Sequence, residues 1–190
     1  MYIKFYRLKK RLKWLIPVVL LLLILTSKSF WRIFYPFPYQ DIVMREAAAN
    51  GIDPYFVAAL IHTESRFTPR AESGRGARGV MQIMPDTGKW AADQMGMRRF
   101  NPELLYVPKI NIKIGCWYLA DLHREFNSNR YIVLAAYNAG RGNVKQWLSQ
   151  QVWDGTPEAV RQIPFPETRN YVVTVTDSYR KYKYLYSEQL

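Results

Sequence analysis

A glutamate at position 64 ends an apolar stripe on a predicted helix. Val57, Leu60 and Ile61 lie seven, four and three positions before it, so that all four side chains share one helical face. A carboxyl group on a face that packs against a core loses hydration, and this loss disfavours its charged form. Glu64 is therefore predicted to stay protonated near neutral pH, as a group that gives a proton to a leaving group must be.

Two other roles for this glutamate follow from the same sequence. Glu64 could be a buried structural residue that forms an ion pair, because Arg66 and Arg169 are available as partners. It could also be a metal ligand together with His62. Two positions apart on a helix, however, these side chains point about 200° apart, and the chain has no second His-x-x-x-His pair. No metal is predicted.

A glycine-rich segment at 74–79 matches the pattern G-x-G-x-x-G of dinucleotide-binding proteins. That pattern binds a pyrophosphate only where it follows a buried strand and opens a helix. The residues around this segment predict neither element. No cofactor is therefore predicted, and the glycines are expected to let a loop lie close to an extended ligand.

Four separated segments have unusual residue orders. They read ESRFTPRA at 64–71, GRGARGVMQIMP at 74–85, AAYNAG at 135–140 and IPFPETRNYV at 163–172. In this order they resemble the catalytic domain of the soluble lytic transglycosylases, the lysozyme-like enzymes that cleave peptidoglycan. The resemblance covers roughly residues 40 to 185 and implies an all-α, lysozyme-like domain.

The resemblance implies chemistry that needs one protein carboxyl group. Glu64 would protonate the oxygen that leaves from the β-1,4 bond between N-acetylmuramic acid and N-acetylglucosamine. It would then accept the proton of the muramoyl C6 hydroxyl as that oxygen attacks C1, which produces a 1,6-anhydro end. Most glycosidases use two carboxyl groups. Here Asp53 and Asp86 are predicted to cap helices and Asp93 to lie on the surface, so no second one is evident.

The resemblance also implies a set of substrate-binding residues. Ser65 would hydrogen-bond near the reacting sugar, unless it is only a polar residue at a helix end. Tyr171 would orient the catalytic carboxyl group, and Gln82 would bond substrate amides. The complete predicted set, with the remaining residues lining the cleft or meeting the N-acetyl groups, is Ser65, Met81, Gln82, Tyr137, Asn138, Ala139 and Tyr171.

The elements that must position these residues are predicted to be helices. The patterns predict helices over 40–50, from Asp53-Pro54 to Glu64, from Pro85 to about 95, over 108–126, over 130–137 and over 142–148. The segment 172–176 favours a strand by propensity, but its apolar residues continue at helical spacing to 186, and a helix is predicted. The single cysteine, Cys116, is predicted to pack in the core.

The first 35 residues predict a membrane anchor. Six Lys or Arg residues precede an apolar run from Trp14 to Leu25, and Lys28 and Arg32 follow it. Twelve apolar residues are short for a span, but aromatic residues at 30–35 extend the run. An uncleaved single-pass signal anchor is therefore predicted, with a cleaved signal peptide as the alternative. The basic side would remain in the cytoplasm and the domain would lie outside the cytoplasmic membrane.

The predicted organisation is an anchor at 1–35, a Pro- and aromatic-rich linker at 36–39 and a catalytic domain at 40–190. The net charge of +12 is concentrated near the N-terminus, because residues 40–190 hold 19 basic and 15 acidic side chains, or 19 − 15 = +4. Nucleic acid is therefore not a predicted partner. Peptidoglycan strands are the predicted partner, and the sequence is also compatible with a cell-wall or envelope-assembly protein as a further partner. A muramidase that uses water and a non-catalytic peptidoglycan-binding scaffold are the alternative functions.

Overall fold

The computed structural model describes residues 15–187. The chain divides into two compact units between Phe37 and Pro38. In the first unit, α1 covers Leu15–Thr26 and α2 covers Lys28–Phe34. No single helix among the described residues is long and apolar enough to span a membrane, but α1 and α2 meet that test together as a pair bent by 59°. The predicted anchor is thus not one continuous helix here, and its first fourteen residues lie outside the described part.

The second unit consists of helices joined by loops. They are α3 (Gln40–Ala49), α4 (Pro54–Ser65), α5 (Pro85–Gln94), α6 (Pro108–Glu125), α7 (Arg130–Ala139), α8 (Arg141–Ser149) and α9 (Pro166–Tyr186), with short 3-10 helices at Pro102–Tyr106 and Val160–Gln162. Residues 15–187 form isolated β-bridges in the 72–83 loop but no strand. The all-α prediction is confirmed, and so is the helical prediction for 172–176.

Helix α4 lies in the centre of the unit. Its residues from Tyr55 to Ile61 are all buried, and it packs along α9 on one side and against α3 on another. Asp53 caps its N-terminus, as predicted, by accepting a hydrogen bond from the backbone N–H of Tyr55 at 2.9 Å. The Tyr179 hydroxyl of α9 donates to the other Asp53 oxygen at 2.7 Å. The cap therefore also ties α4 to the helix that carries Tyr171.

The other predicted local features are mostly present. Cys116 is buried in α6, as predicted. Asp93 is exposed and pairs with Lys89 at 2.9 Å. The prediction that Asp86 caps α5 is wrong: Met84 is the N-cap and Asp86 lies within the first turn. The cause is Pro85, which occupies the first helical position because its fixed φ suits it and it has no N–H to donate.

Candidate active site

Glu64 lies in the last turn of α4, where the helix is made to stop. Arg66 adopts the left-handed conformation with φ 50° and closes the helix with a hydrogen bond from its N–H to the His62 carbonyl oxygen. Phe67, with φ 61°, continues the reversal of the chain. Because the backbone leaves at this point, Glu64 borders a groove although the preceding turns of α4 are covered.

The environment of Glu64 favours its protonated form. Burial of the carboxyl group and, less strongly, the charge of Glu167 raise its pKa to about 7, although a hydrogen bond from Tyr171 acts in the opposite direction. Among residues 15–187, no Lys or Arg lies within ion-pair distance of Glu64. Arg169 instead directs its guanidinium to the Pro164 carbonyl oxygen at 3.4 Å. The structure thus does not support the alternative of a buried ion pair.

Tyr171 contacts the carboxyl group directly. Its hydroxyl donates to Glu64 Oε1 at 2.6 Å across 107 positions of sequence. Burial, followed by the charge of Glu64, holds the pKa of Tyr171 well above its usual value, so that the hydroxyl keeps its proton. One carboxyl oxygen is therefore engaged by the protein, and no hydrogen bond to the other oxygen is formed within residues 15–187.

Gln82 lies in the loop that passes Glu64. Its backbone is left-handed, with φ 46°, and its Nε2 donates to the carbonyl oxygens of Ala71 at 3.0 Å and Gly79 at 2.9 Å. Both amide protons are thus used within the loop. The side chain lines the groove, so we expect its amide oxygen to be the atom that meets a substrate N–H group.

Three members of the predicted substrate-binding set do not line the groove: Met81, Ser65 and Tyr171, whose hydroxyl bonds Glu64. Met81 is fully buried, and it packs so closely on α6 that a side chain at Gly115 would collide with its sulfur. Ser65 donates its hydroxyl to the Val80 carbonyl oxygen at 2.7 Å. Both residues hold the loop against the helices, which a sequence motif cannot distinguish from contact with a ligand.

The end of α7 forms a wall of the groove. Tyr137, Asn138 and Ala139 line it. The Tyr137 hydroxyl donates to the Met81 carbonyl oxygen at 2.7 Å, which links α7 to the 78–83 loop. Asn138 Oδ1 accepts from the hydroxyl of buried Thr168 at 2.7 Å, and its Nδ2 donates no hydrogen bond within residues 15–187.

The groove has a volume of about 660 Å³, within the range of small-molecule and sugar sites. It also brings together residues that the sequence analysis did not select. They come from the 73–77 loop and from α5, α6 and α9, and include Arg75, Thr87, Tyr118 and Glu167. A second hollow of about 560 Å³ holds Glu103, whose carboxylate already pairs with Arg78 at 2.9 Å, and it does not include Glu64.

Glu167 is a second carboxylate in the groove that the sequence pattern did not indicate. It lies within the 163–172 segment, but the sequence does not show that the fold brings this side chain near Glu64. Its side chain is 69% exposed and faces Arg75 at 3.9 Å. An exposed carboxylate keeps most of its hydration, so Glu167 and Glu64 have different environments and are suited to different tasks.

Known lytic transglycosylases are similar to this chain in sequence. The chain is 36% identical over 154 residues to the soluble lytic murein transglycosylase of Escherichia coli K12, which covers 78% of this chain and 24% of the relative. It is 30% identical over 170 residues to the membrane-bound lytic murein transglycosylase C of Actinobacillus pleuropneumoniae, a match that covers 77% of this chain and 46% of the relative. The chain thus spans about a quarter to a half of the length of these relatives.

Solved structures share the fold. The 70 kDa soluble lytic transglycosylase of Escherichia coli superposes with a TM-score of 0.77 at 34% identity, covering 82% of this chain and 25% of that one. The inactive glutamate-to-glutamine mutant of the lytic transglycosylase Slt from Pseudomonas aeruginosa superposes with a TM-score of 0.75 at 34% identity. The match covers 94% of this chain and 29% of that one. Residues 41–159 match the family described as the transglycosylase SLT domain. The chain belongs to the transglycosylase SLT domain family.

Proposed function

We propose that this protein is a peptidoglycan lytic transglycosylase in which Glu64 is the only catalytic acid and base. One observation carries the proposal: a carboxyl group with a pKa of about 7, bonded by Tyr171 on one oxygen, borders a groove lined by amide and hydroxyl side chains. A pKa near the working pH allows one group to give a proton and then to take one.

The proposed reaction conserves every atom of the substrate. Glu64 donates its proton to the bridging oxygen as the bond from that oxygen to C1 of N-acetylmuramic acid breaks. The resulting carboxylate then removes the proton of the C6 hydroxyl as O6 forms a bond to C1. Water is not consumed, and the product carries a 1,6-anhydro ring. The positive charge that develops at C1 needs stabilisation, which we assign to the muramoyl acetamide.

Side chains around Glu64 are proposed to hold the sugars. Gln82 offers an amide oxygen and Asn138 an amide N–H group, a pair that complements the donor and acceptor of an N-acetyl group. Tyr137 and Ala139 complete that wall. Met81 and Ser65 are proposed to act through the position of the 78–83 loop, because their side chains contact protein.

A water-using muramidase is the second candidate, and the observation that favours it is Glu167 in the groove. A second carboxylate there is in a position to activate water, as in two-carboxylate glycosidases. Mass spectrometry of muropeptides released from purified peptidoglycan separates the two. Anhydro-muramoyl ends are expected, reducing ends would establish the hydrolase, and glycan binding without products would indicate a scaffold.

We also propose that the N-terminal segment anchors the protein in the cytoplasmic membrane and that the domain acts on the outer side. The basic residues before α1 favour retention of the N-terminus in the cytoplasm. The name of one relative, a membrane-bound lytic murein transglycosylase, is consistent with an anchor. Recovery of the intact protein from the culture medium instead of the membrane fraction would contradict this proposal.

Replacing Tyr171 with phenylalanine is expected to reduce kcat by about 10- to 100-fold, because the carboxyl group loses the hydrogen bond that orients it. That bond lowers the pKa of Glu64, so its removal should raise the pKa further. The acid is active while protonated, and the alkaline limb of the pH–rate profile should therefore move to higher pH. Tyr184→Phe, at a 61% exposed position of α9, is the matched control. An unshifted profile in Tyr171→Phe would contradict the assignment.

Replacing Thr168 with valine keeps the shape of a side chain that is 1% exposed but removes the donor to Asn138. The Asn138 amide then loses its fixed orientation, and its Oδ1 acceptor loses its donor, with a stability cost of about 1 to 3 kcal/mol. We expect KM for soluble glycan strands to rise more than kcat falls, because Asn138 is assigned to binding. Thr168→Ser keeps the hydroxyl and should restore KM. Equal KM values in both variants would show that the Thr168 hydroxyl does not determine substrate binding.

A further inference from the structure

The first two helices expose an apolar surface. The large hydrophobic side chains of α1 are between 39% and 61% exposed all round the helix. On α2, Trp31 is 42%, Phe34 55% and Ile33 72% exposed. Contiguous apolar surface of this kind marks a site that contacts a membrane or another protein. Because the two helices are bent by 59°, they need not contact a bilayer in the same way.

The bend between α1 and α2 is built with hydrogen bonds. The Ser27 hydroxyl donates to the Ile24 carbonyl oxygen at 2.8 Å and accepts from the Phe30 N–H at 3.2 Å. The Trp31 indole N–H donates to the Leu25 carbonyl oxygen at 2.8 Å. Side chains thus satisfy backbone groups that the break would leave open, as an apolar surrounding requires. The bend is therefore compatible with a position at the edge of the hydrocarbon.

Helix α2 is amphipathic over its seven residues. At 100° per residue, its four apolar side chains fall within an arc of about 160°, and its polar side chains fall on the other side. Phe30 lies 5.5 Å from Phe34 and 5.7 Å from Trp31, measured between ring centroids, so the aromatic residues share one surface. The apolar set is Phe30, Trp31, Ile33 and Phe34, and the polar set is Lys28, Ser29 and Arg32.

The polar arc decides between two orientations in a bilayer. If α2 continued the direction of α1 across the membrane, the charges of Lys28 and Arg32 would lie at the depth of the hydrocarbon, which is costly. If α2 lies along the surface, its aromatic arc enters the acyl boundary while both cations stay among the headgroups. Tryptophan also favours this depth, because its ring is apolar and its N–H is polar.

We infer that α2 is an interfacial helix, which lies along the membrane–water boundary with its cations on anionic lipid headgroups. The inference rests on the proposed anchoring by α1, but it adds a contact that a simple span does not have. Since α2 begins directly after Ser27, the polypeptide leaves the hydrocarbon at that residue. The bilayer surface is thus the partner of the Phe30, Trp31, Ile33 and Phe34 face.

Site-directed spin labelling of the full chain tests this inference. Cysteines are introduced singly at each position from 28 to 34, at Leu20 for hydrocarbon depth and at Val173, 50% exposed in the second unit, as the aqueous reference. Native Cys116 has no exposed surface and burial raises its pKa, so it should not react, and the unmodified chain checks this. The protein is placed in vesicles of phosphatidylglycerol and phosphatidylcholine. Nitroxide depth is measured by power saturation with oxygen and a water-soluble nickel complex.

A helix lying on the surface should give depths that oscillate with a period of about 3.6 residues, with positions 30 and 34 deepest and 28 and 32 shallowest. A monotonic change of about 1.5 Å per residue would mean that the span continues through α2, and it would overturn the inference. Aqueous accessibility throughout 28–34, with Leu20 deep, would also overturn it while leaving the anchor intact. A water-exposed Leu20 would refute the anchoring proposal itself.

Discussion

Glu64→Gln is expected to abolish the release of muropeptides, with a loss of at least about 1,000-fold in kcat. Glutamine keeps the size of the side chain and still accepts a hydrogen bond from Tyr171, but it can neither give nor take a proton. Both proposed proton transfers use this one group, so no step of the reaction is spared. The measurement is the rate of anhydro-muropeptide formation by mass spectrometry. Glu158→Gln, the same change at an exposed position, should retain activity.

The same substitution has a stability signature that distinguishes lost chemistry from lost folding. The pKa of Glu64 is raised by burial from 4.5 to about 7, so between these values the folded chain holds more protons than the unfolded chain. The contribution of Glu64 to stability is therefore fully present below pH 4.5 and is lost as pH rises towards 7. Glutamine cannot ionise and escapes this loss.

We thus expect Glu64→Gln to unfold like the wild type at pH 4 but to be more stable at pH 8, by at most about 3 kcal/mol. Partial access of solvent to the carboxyl group reduces this value. Urea unfolding at the two pH values measures it. A variant that is inactive but also less stable at both values would indicate a packing defect, and an active variant would refute the assignment of Glu64.

The second large effect is expected for Gly79→Ala, which should prevent or severely weaken folding, with a cost above about 4 kcal/mol. Gly79 has φ 76°, and a Cβ atom there would lie 2.0 Å from the Leu105 carbonyl oxygen and 2.3 Å from Asn111 Nδ2. Asn111 is fully buried, and its amide bonds the backbone of Arg78, Met81 and Leu105 at 2.8 to 2.9 Å. An added methyl group would therefore displace the amide that holds the loop beside Glu64.

Two other glycines of the same loop separate the causes of this effect. Gly76→Ala meets a φ of 83° but open space, so it tests backbone strain alone and should cost about 1 to 2 kcal/mol. Gly74→Ala encounters neither a positive φ nor a neighbouring atom, so it should change stability little. Thermal unfolding of the three variants should rank them in this order. If Gly79→Ala were no worse than Gly76→Ala, the close approach to Asn111 would not be a constraint.

Local features of the second unit were predictable because each depends on residues near in sequence. Asp53-Pro54 marks the start of α4. Aspartate accepts a hydrogen bond from a free backbone N–H group of the first turn, and proline suits the first helical position because it has no N–H group to satisfy. The apolar spacing at 172–186 predicted α9 against the strand propensity of 172–176, because burial of one face outweighs intrinsic preference. The prediction that Asp86 caps α5 was wrong for an equally local reason: Pro85 takes the first helical position, which makes Met84 the N-cap.

Contacts between distant segments were not predictable in the same way. A motif marks Ser65 and Met81 but does not say that one bonds the Val80 carbonyl oxygen and the other is fully buried. Nothing around Thr168 indicates that it fixes Asn138, 30 positions earlier. The bend at Ser27 depends on side-chain bonds to backbone carbonyl groups, which an apolar run read by hydropathy does not reveal.

The helical class, most helix ends and the choice of Glu64 followed from sequence alone, because hydrophobic periodicity, capping and residue order act over a few positions. The sequence left open whether Glu64 is a paired structural carboxylate or an acid. The fold argues against the ion pair, because it places the carboxyl group beside Tyr171 at the edge of a groove, with no salt bridge to Arg66 or Arg169 among residues 15–187. The role of Glu64 as an acid stays a proposal. The pKa of a carboxyl group is set by all the charges, dipoles and water around it, and these come from segments up to 107 residues away.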